Sequence, residues 1–263
     1  ARAIREHGRD RVYVATKAGR RLRPHAAEGY NAANLAAFVE RSLQNLGTDT
    51  IDLLQLHCPP GAVYEQDSTF EALDDLVRQG KLRHWGVSVE TVAEARRALD
   101  RPNLASIQII FNAFRQKPAE QLFPLLADRS VAILARVPLA SGLLSGRMRR
   151  DSQFAADDHR NYNRQGDAFD VGETFSGVPF EGGLEAVEAL RPLVPEGATM
   201  AQFALRWILM HPAVSCAIPG AKSPEQARAN AAASDLAALD PDAMAAVRRI
   251  YDERIRGHVH GRW

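Results

Sequence analysis

The chain has 263 residues, 46% of them hydrophobic and 25% charged, which excludes a disordered polymer and allows a sizeable core in one large domain or two small ones. The net charge of +1 leaves no electrostatic footprint for nucleic acid or an acidic membrane surface. No apolar run is long enough to cross a bilayer, and the N-terminus has no hydrophobic signal core. Two cysteines, Cys58 and Cys216, cannot make a disulfide framework. Each closes an apolar run, so both read as buried thiols of a reducing compartment, and a cytoplasmic location is expected.

The opening residues "ARAIREHG" read as the end of a helix. A first strand signal covers residues 12–16 within "VYVATKAG", which closes on Lys17 and breaks at Gly19. Residues 31–46 place Leu35, Phe38, Val39, Leu43 and Leu46 at helical spacing, with Gly47 as a stop. A second strand signal, residues 51–56 of "IDLLQLHCPP", ends on His57 before the Pro59–Pro60 break. Residues 68–79 open on Ser68 and Glu71, the spacing of a capping box, and end at Gly80. Strand signals follow at 84–88, 106–110 and 131–135, and the span 146–198 has no clear strand. Thr199 and Gln202 then form a second capping-box pair ahead of Phe203, Trp207 and Ile208. A last strand signal lies at 214–218, and Ser223, Pro224 and Gln226 start another helix with proline in its first turn.

Strands alternating with helices define an α/β class with a parallel sheet covered by helices. A doubly wound sheet and a (β/α)₈ barrel both satisfy the pattern. No G-x-G-x-x-G follows any strand, which weighs against a Rossmann fold. A complete barrel has eight units and about 250 residues, whereas this chain shows about six units once the 146–198 stretch is set aside. Period two places Tyr13, Ala15 and Lys17 on one face, and Leu53, Gln55 and His57 on one face. Lys17 and His57 therefore close two strands, where a parallel barrel carries its catalytic groups.

Seven segments, in order and at matching spacing, make the chain resemble the aldo-keto reductases, in a bacterial-type branch. They are "VYVATKAG", "RSLQNLGTDTIDLLQLH", "ALDDLVRQGKLRHWGVS", "IQIIFNAF", "ARVPLASGLLSGR", "FALRWIL" and "AIPGAKSPEQARANAAA". The resemblance implies a single (β/α)₈ TIM barrel domain over 1–263, N-terminally incomplete, whose strands here are the third to eighth. Residues 147–180 become a long loop insertion after the seventh strand, a place where lids and binding loops occur. The implied activity is NADPH-dependent reduction of a small aldehyde or ketone to an alcohol by hydride transfer, with a tyrosine as proton donor tuned by a lysine–aspartate pair. Lys17 falls on the family's lysine and His57 on its histidine, which hydrogen-bonds and orients the carbonyl. The aspartate and tyrosine positions would precede Ala1, and none of Tyr13, Tyr30 and Tyr64 matches the motif.

The resemblance assigns Ser88 and Gln108 to the nicotinamide carboxamide, with Val89 where the family often has asparagine. Arg136 takes the place of an aromatic that stacks on the nicotinamide, with a structural ion pair as the alternative. Pro138, Leu139, Ser141, Gly142 and Leu143 form the loop along the pyrophosphate. Gly220, Lys222, Gln226 and Asn230 hold the adenosine end. Local chemistry agrees, since Ser223 begins a helix whose N-terminus attracts phosphate, and Lys222 adds charge that suits the 2′-phosphate of NADP. "DDHR" at 157–160 reads as an ion-pair cluster rather than a metal site, and His258 and His260 lack the spacing partners of a zinc site. Two readings follow: a carbonyl reductase, or a dinucleotide-binding module without turnover. Strand edges left open by two absent units also predict poor stability for these residues alone.

Overall fold

The computed structural model describes residues 1–263. Its strands are β1 (Ala15–Ala18), β2 (Ile51–His57), β3 (Leu82–Ser88), β4 (Leu104–Ile110), β5 (Ala132–Arg136) and β6 (Val214–Ala217), and the strand order of the sheet is the chain order. The pairings of β1 with β2, β2 with β3, β3 with β4 and β5 with β6 are parallel. The α-helices are α1 (Arg2–His7), α2 (Ala32–Leu46), α3 (Asp67–Arg78), α4 (Val92–Ala98), α5 (Lys117–Gln121), α6 (His159–Tyr162), α7 (Phe180–Leu190), α8 (Met200–Leu209), α9 (Pro224–Ala231), α10 (Pro241–Ile250) and α11 (Arg256–Val259). Strand–helix alternation over this length, with parallel pairing, is the α/β pattern the sequence implies. The chain divides into two compact units, one of Ala1–Gln108 with Ser130–Ala132, the other of Ile109–Arg129 with Ile133–Trp263.

In the first unit, alternation along the strands sorts side chains into two faces. Leu54, Trp85, Val87 and Ile107 are fully buried on one face, and Trp85 shows what covers it. Its ring lies 5.5 Å from that of Phe70 on α3, and its indole N–H donates to Asp74 on α3 at 2.7 Å. The opposite face carries Lys17, Gln55, Gly86 and Ser106 in register. Helix α2 forms as its spacing requires: Leu35, Val39 and Leu43 are buried, Asn31 caps the start and Gly47 ends it in the left-handed region at φ 66°.

Three local expectations need correction. The first strand starts at Ala15 rather than residue 12, because Arg9–Arg11 makes a 3₁₀ turn and the Val14 N–H donates to the Asp52 carboxylate at 2.7 Å. Ser68 is not a cap. Helix α3 begins at Asp67 after a 3₁₀ turn that ends at Glu65, so Gln66 takes the N-cap position and Ser68 lies inside the first turn. The cysteines are not buried thiols: Cys58 is half-buried and Cys216 exposed, the latter because β6 ends the strand order with Ser215 and Cys216 both open to solvent.

In the second unit, α8 begins at the Thr199–Gln202 capping box and buries Phe203, Trp207 and Ile208. Phe111 lies 5.2 Å from the Trp207 ring and 4.8 Å from those of Phe123 and His211, so an aromatic cluster anchors α8. The 147–180 stretch contains α6 and two 3₁₀ turns, Val171–Glu173 and Phe175–Gly177. Phe175 and Ser176 there are buried, so the end of this stretch belongs to the packed interior.

Candidate active site

Register builds the polar layer of the first unit. His57 pairs with Ser88, and Ser88 with Gln108, so polar side chains at or near the ends of three successive strands lie side by side on one face. Lys17 pairs with Gln55, two residues before His57, which places the lysine on the same face one layer deeper. Beyond the layer the chain is tied down by backbone bonds, Cys58 N–H to the Ser88 carbonyl and Val89 N–H to the Gln108 carbonyl, each 2.9 Å. Ser88 and Gln108 are almost wholly enclosed, and the Gln108 amide donates to the Ser88 hydroxyl at 3.5 Å. Lys17 and His57 are half-buried. An ammonium, an imidazole, a hydroxyl and an amide on one strand-end face can bind and polarise a carbonyl or a carboxamide.

The second unit contains a cleft of about 910 Å³. One wall is the turn after β5, with Pro138, Leu139, Ser141 and Gly142. A second is the start of α9, with Gly220, Lys222 and Gln226, and a third comes from 157–173, with Asp158, His159, Arg160, Tyr162 and Glu173. At α9 the Ser223 hydroxyl accepts from the Gln226 N–H at 3.3 Å, and the Gln226 side chain accepts from the Lys222 N–H at 2.8 Å. Gln226 and Ser223 thus cap the helix while Lys222 stays exposed beside it.

The turn after β5 is bent by a run of left-handed residues: Val137 at φ 50°, Ala140 at 48°, Ser141 at 54° and Gly142 at 98°. Outside glycine such conformations each cost on the order of 1–3 kcal/mol, so the surroundings must hold them. Ser141 is the hub: its hydroxyl donates to the Glu173 carbonyl at 2.9 Å and accepts the Phe175 N–H at 3.0 Å. Asn112 donates to the Val137 carbonyl and to the Ser176 hydroxyl, both at 2.8 Å. His159 reaches the Ser141 hydroxyl at 3.5 Å and Asp158 at 3.6 Å, an outline of a nucleophilic triad. The Ser141 proton is committed to the Glu173 carbonyl, so this serine is a structural link and not a nucleophile.

The other expected residues are placed differently. Arg136 is buried and pairs with Glu173, the ion pair weighed against stacking. Leu143 is fully buried, packed over Gly183. Asn230 donates to the Gly220 carbonyl at 3.2 Å and lines a separate cleft of about 380 Å³ with Cys216. Asp158 pairs with Arg160, whose hydrogen bond holds the carboxyl well below the usual carboxylate range. The sequence marks 147–180 as a stretch where lids and binding loops occur but names none of its residues as a cleft wall. Its one signal, "DDHR", announced the ion pair but not that the pair faces the β5 turn.

The fold and this layout define a parallel α/β protein with polar strand ends in one unit and, in the other, a cleft lined by loop turns and a helix N-terminus. The sequence profile of the aldo/keto reductase family matches residues 1–252, and the chain belongs to that family of carbonyl-reducing oxidoreductases. It is 33% identical over 236 residues to the aldo-keto reductase YhdN of Bacillus subtilis (strain 168), covering 87% of this chain and 67% of YhdN. Among solved structures it is similar to a glycerol dehydrogenase of Gluconobacter oxydans, with TM-score 0.77 and 27% identity over 97% of this chain and 76% of that one. It is also similar to a Klebsiella pneumoniae aldo-keto reductase in complex with NADPH, with TM-score 0.67 and 28% identity over 95% of this chain and 73% of that one. No helix is long and apolar enough to cross a membrane.

Proposed function

We propose that this chain binds NADPH and directs reduction of a small aldehyde or ketone. The register of His57, Ser88 and Gln108 carries the reading, because it brings an imidazole, a hydroxyl and an amide together at or near the ends of successive strands with Lys17 one layer below. The residues fit the cofactor. The cleft joins a positive-φ turn, where Gly142 lets backbone approach a diphosphate, to a capped helix N-terminus with a lysine for a 2′-phosphate. When bound, NADPH supplies the hydride.

In this reading His57 donates a hydrogen bond to the carbonyl oxygen and orients it, and Lys17 stabilises negative charge that develops nearby. Ser88 and Gln108 hold the carboxamide, which needs a donor and an acceptor side by side. Pro138, Leu139, Ser141 and Gly142 line the diphosphate, and Gly220, Lys222 and Gln226 the adenosine end, where Asn230 holds the Gly220 carbonyl. The substrate is a small molecule, and two cysteines outside any disulfide agree with a cytoplasmic setting.

A second reading, cofactor binding without turnover, is favoured by the tyrosines. The Tyr30 hydroxyl is bonded to His25 at 2.8 Å, and burial raises its pKa well above the ordinary phenol value. The Tyr64 hydroxyl is buried without a hydrogen-bond partner, and burial raises its pKa further still. Neither is a tuned proton donor. Titrating NADPH into the 263-residue chain and following its oxidation with a panel of aldehydes and ketones separates the two. Binding with carbonyl-dependent oxidation, lost in Lys17→Met and His57→Gln, is the expected enzyme result. Binding alone supports the second reading, and absence of binding overturns both.

A further inference from the structure

We propose that Trp263 is a positioning residue for the cofactor cleft. Together with Arg115 and Asp170 it clamps the 170–177 turn against the β5 turn. This rests on the cofactor reading of that cleft. Trp263 does not line the cleft; its effect passes through Glu173 and Ser141, which do.

Three contacts fix the indole. Its N–H donates to both Asp170 carboxylate oxygens, at 3.0 and 3.1 Å. Its ring lies 3.7 Å from the Arg115 guanidinium carbon, close enough for a cation–π contact in a desolvated place. Gly177 packs against its edge so tightly that an added Cβ would stand 2.5 Å away, and at Gly172 one would stand 3.0 Å away. Asp170 also accepts the Gly172 N–H at 2.7 Å, and Arg115 donates to the Ser176 carbonyl at 3.3 Å. The whole 170–177 turn is therefore gripped from the side that Trp263 occupies.

The opposite side of the same turn is bonded to the cleft. Glu173 pairs with Arg136 at the end of β5, and the Glu173 carbonyl and Phe175 N–H both bond the Ser141 hydroxyl. Phe175 and Ser176 sit at φ 52° and 60°, and Ser141 faces them at 54°. Two strained turns linked by three polar contacts keep their shape only while something presses them together. Trp263 is the large rigid group placed to do so. A ring that merely filled space would need neither the bifurcated bond to Asp170 nor two glycines cleared for its edge.

The test measures NADPH affinity by fluorescence titration, and melting temperature in parallel, for the 263-residue chain and for Trp263→Ala, Trp263→Phe, Asp170→Asn and Thr199→Ala. Trp263→Ala is expected to weaken NADPH binding about tenfold or more. Trp263→Phe, which keeps the ring over Arg115 but loses the bond to Asp170, is expected to recover part of that affinity, with Asp170→Asn similar to it. Thr199→Ala destabilises the same unit at a helix cap that lines no wall of the cleft and is expected to bind as the parent does. If Trp263→Ala does not fold, Trp263→Phe and Asp170→Asn decide. Affinities within about twofold of the parent in the folded Trp263 and Asp170 variants overturn the proposal, as does an equal loss in Thr199→Ala. Failure of the parent chain to bind NADPH removes the cofactor reading itself, a result distinct from a defect confined to the variants.

Discussion

At Gly86 a single added methyl group would stand 2.2 Å from the Ser106 hydroxyl oxygen and 2.5 Å from the Ser106 carbonyl oxygen. That oxygen pair cannot swing away, because Ser106 is paired in register with Gly86 and its hydroxyl accepts the Gln55 amide at 3.1 Å. Gly86→Ala is therefore expected to destabilise the first unit by about 1–3 kcal/mol, the range for overpacking a filled interior. Urea denaturation would measure it, and a variant as stable as the parent would contradict the packing described. That Lys17 and His57 share one sheet face was legible because both lie at or next to a strand end and period two fixes the face. The closeness of Gly86 to Ser106 was not, since it depends on which strand lies next to which and in what register.

The helix starts show which capping signals the chain obeys. Thr199 and Gln202 bond reciprocally to each other's backbone N–H, the full capping box. Ser68 and Glu71 have the same spacing and make no such pair, because the preceding 3₁₀ turn delivers the chain to the helix with its N-cap at Gln66, two residues early. Thr199→Ala is expected to lower stability by about 1 kcal/mol, and Ser68→Ala to change it by less than about 0.5 kcal/mol. Thermal denaturation of the two variants side by side checks this, and equal effects would refute it. Amphipathic spacing placed α2 and α8 correctly because both cover a large apolar face. A four-residue signature cannot choose a helix start when the incoming chain geometry is set elsewhere.

Across the whole molecule, three histidines share one electrostatic bias. Desolvation by burial lowers the pKa of His25, His211 and His260. His211 is held among Phe111, Phe123 and Trp207, and His260 beside Tyr251, Arg256 and Glu120. The folded state thus binds fewer protons than the unfolded chain below the ordinary histidine pKa of about 6.5. Stability should be full above that value and fall as the pH drops from it toward the lowered folded values. A denaturation midpoint that does not decrease between about pH 7.5 and about pH 5.5 would contradict this, and His211→Phe should flatten the dependence. By itself the sequence determined the α/β alternation, the family, the two strand-end groups and most of the cleft loops, because periodicity and short motifs are local and survive in one dimension. Only the folded structure decided that Arg136 is paired with Glu173, that Leu143 is interior, which residues of 157–173 wall the cleft and that Trp263 bonds Asp170. Those facts depend on contacts between residues far apart in the chain, which no spacing rule encodes.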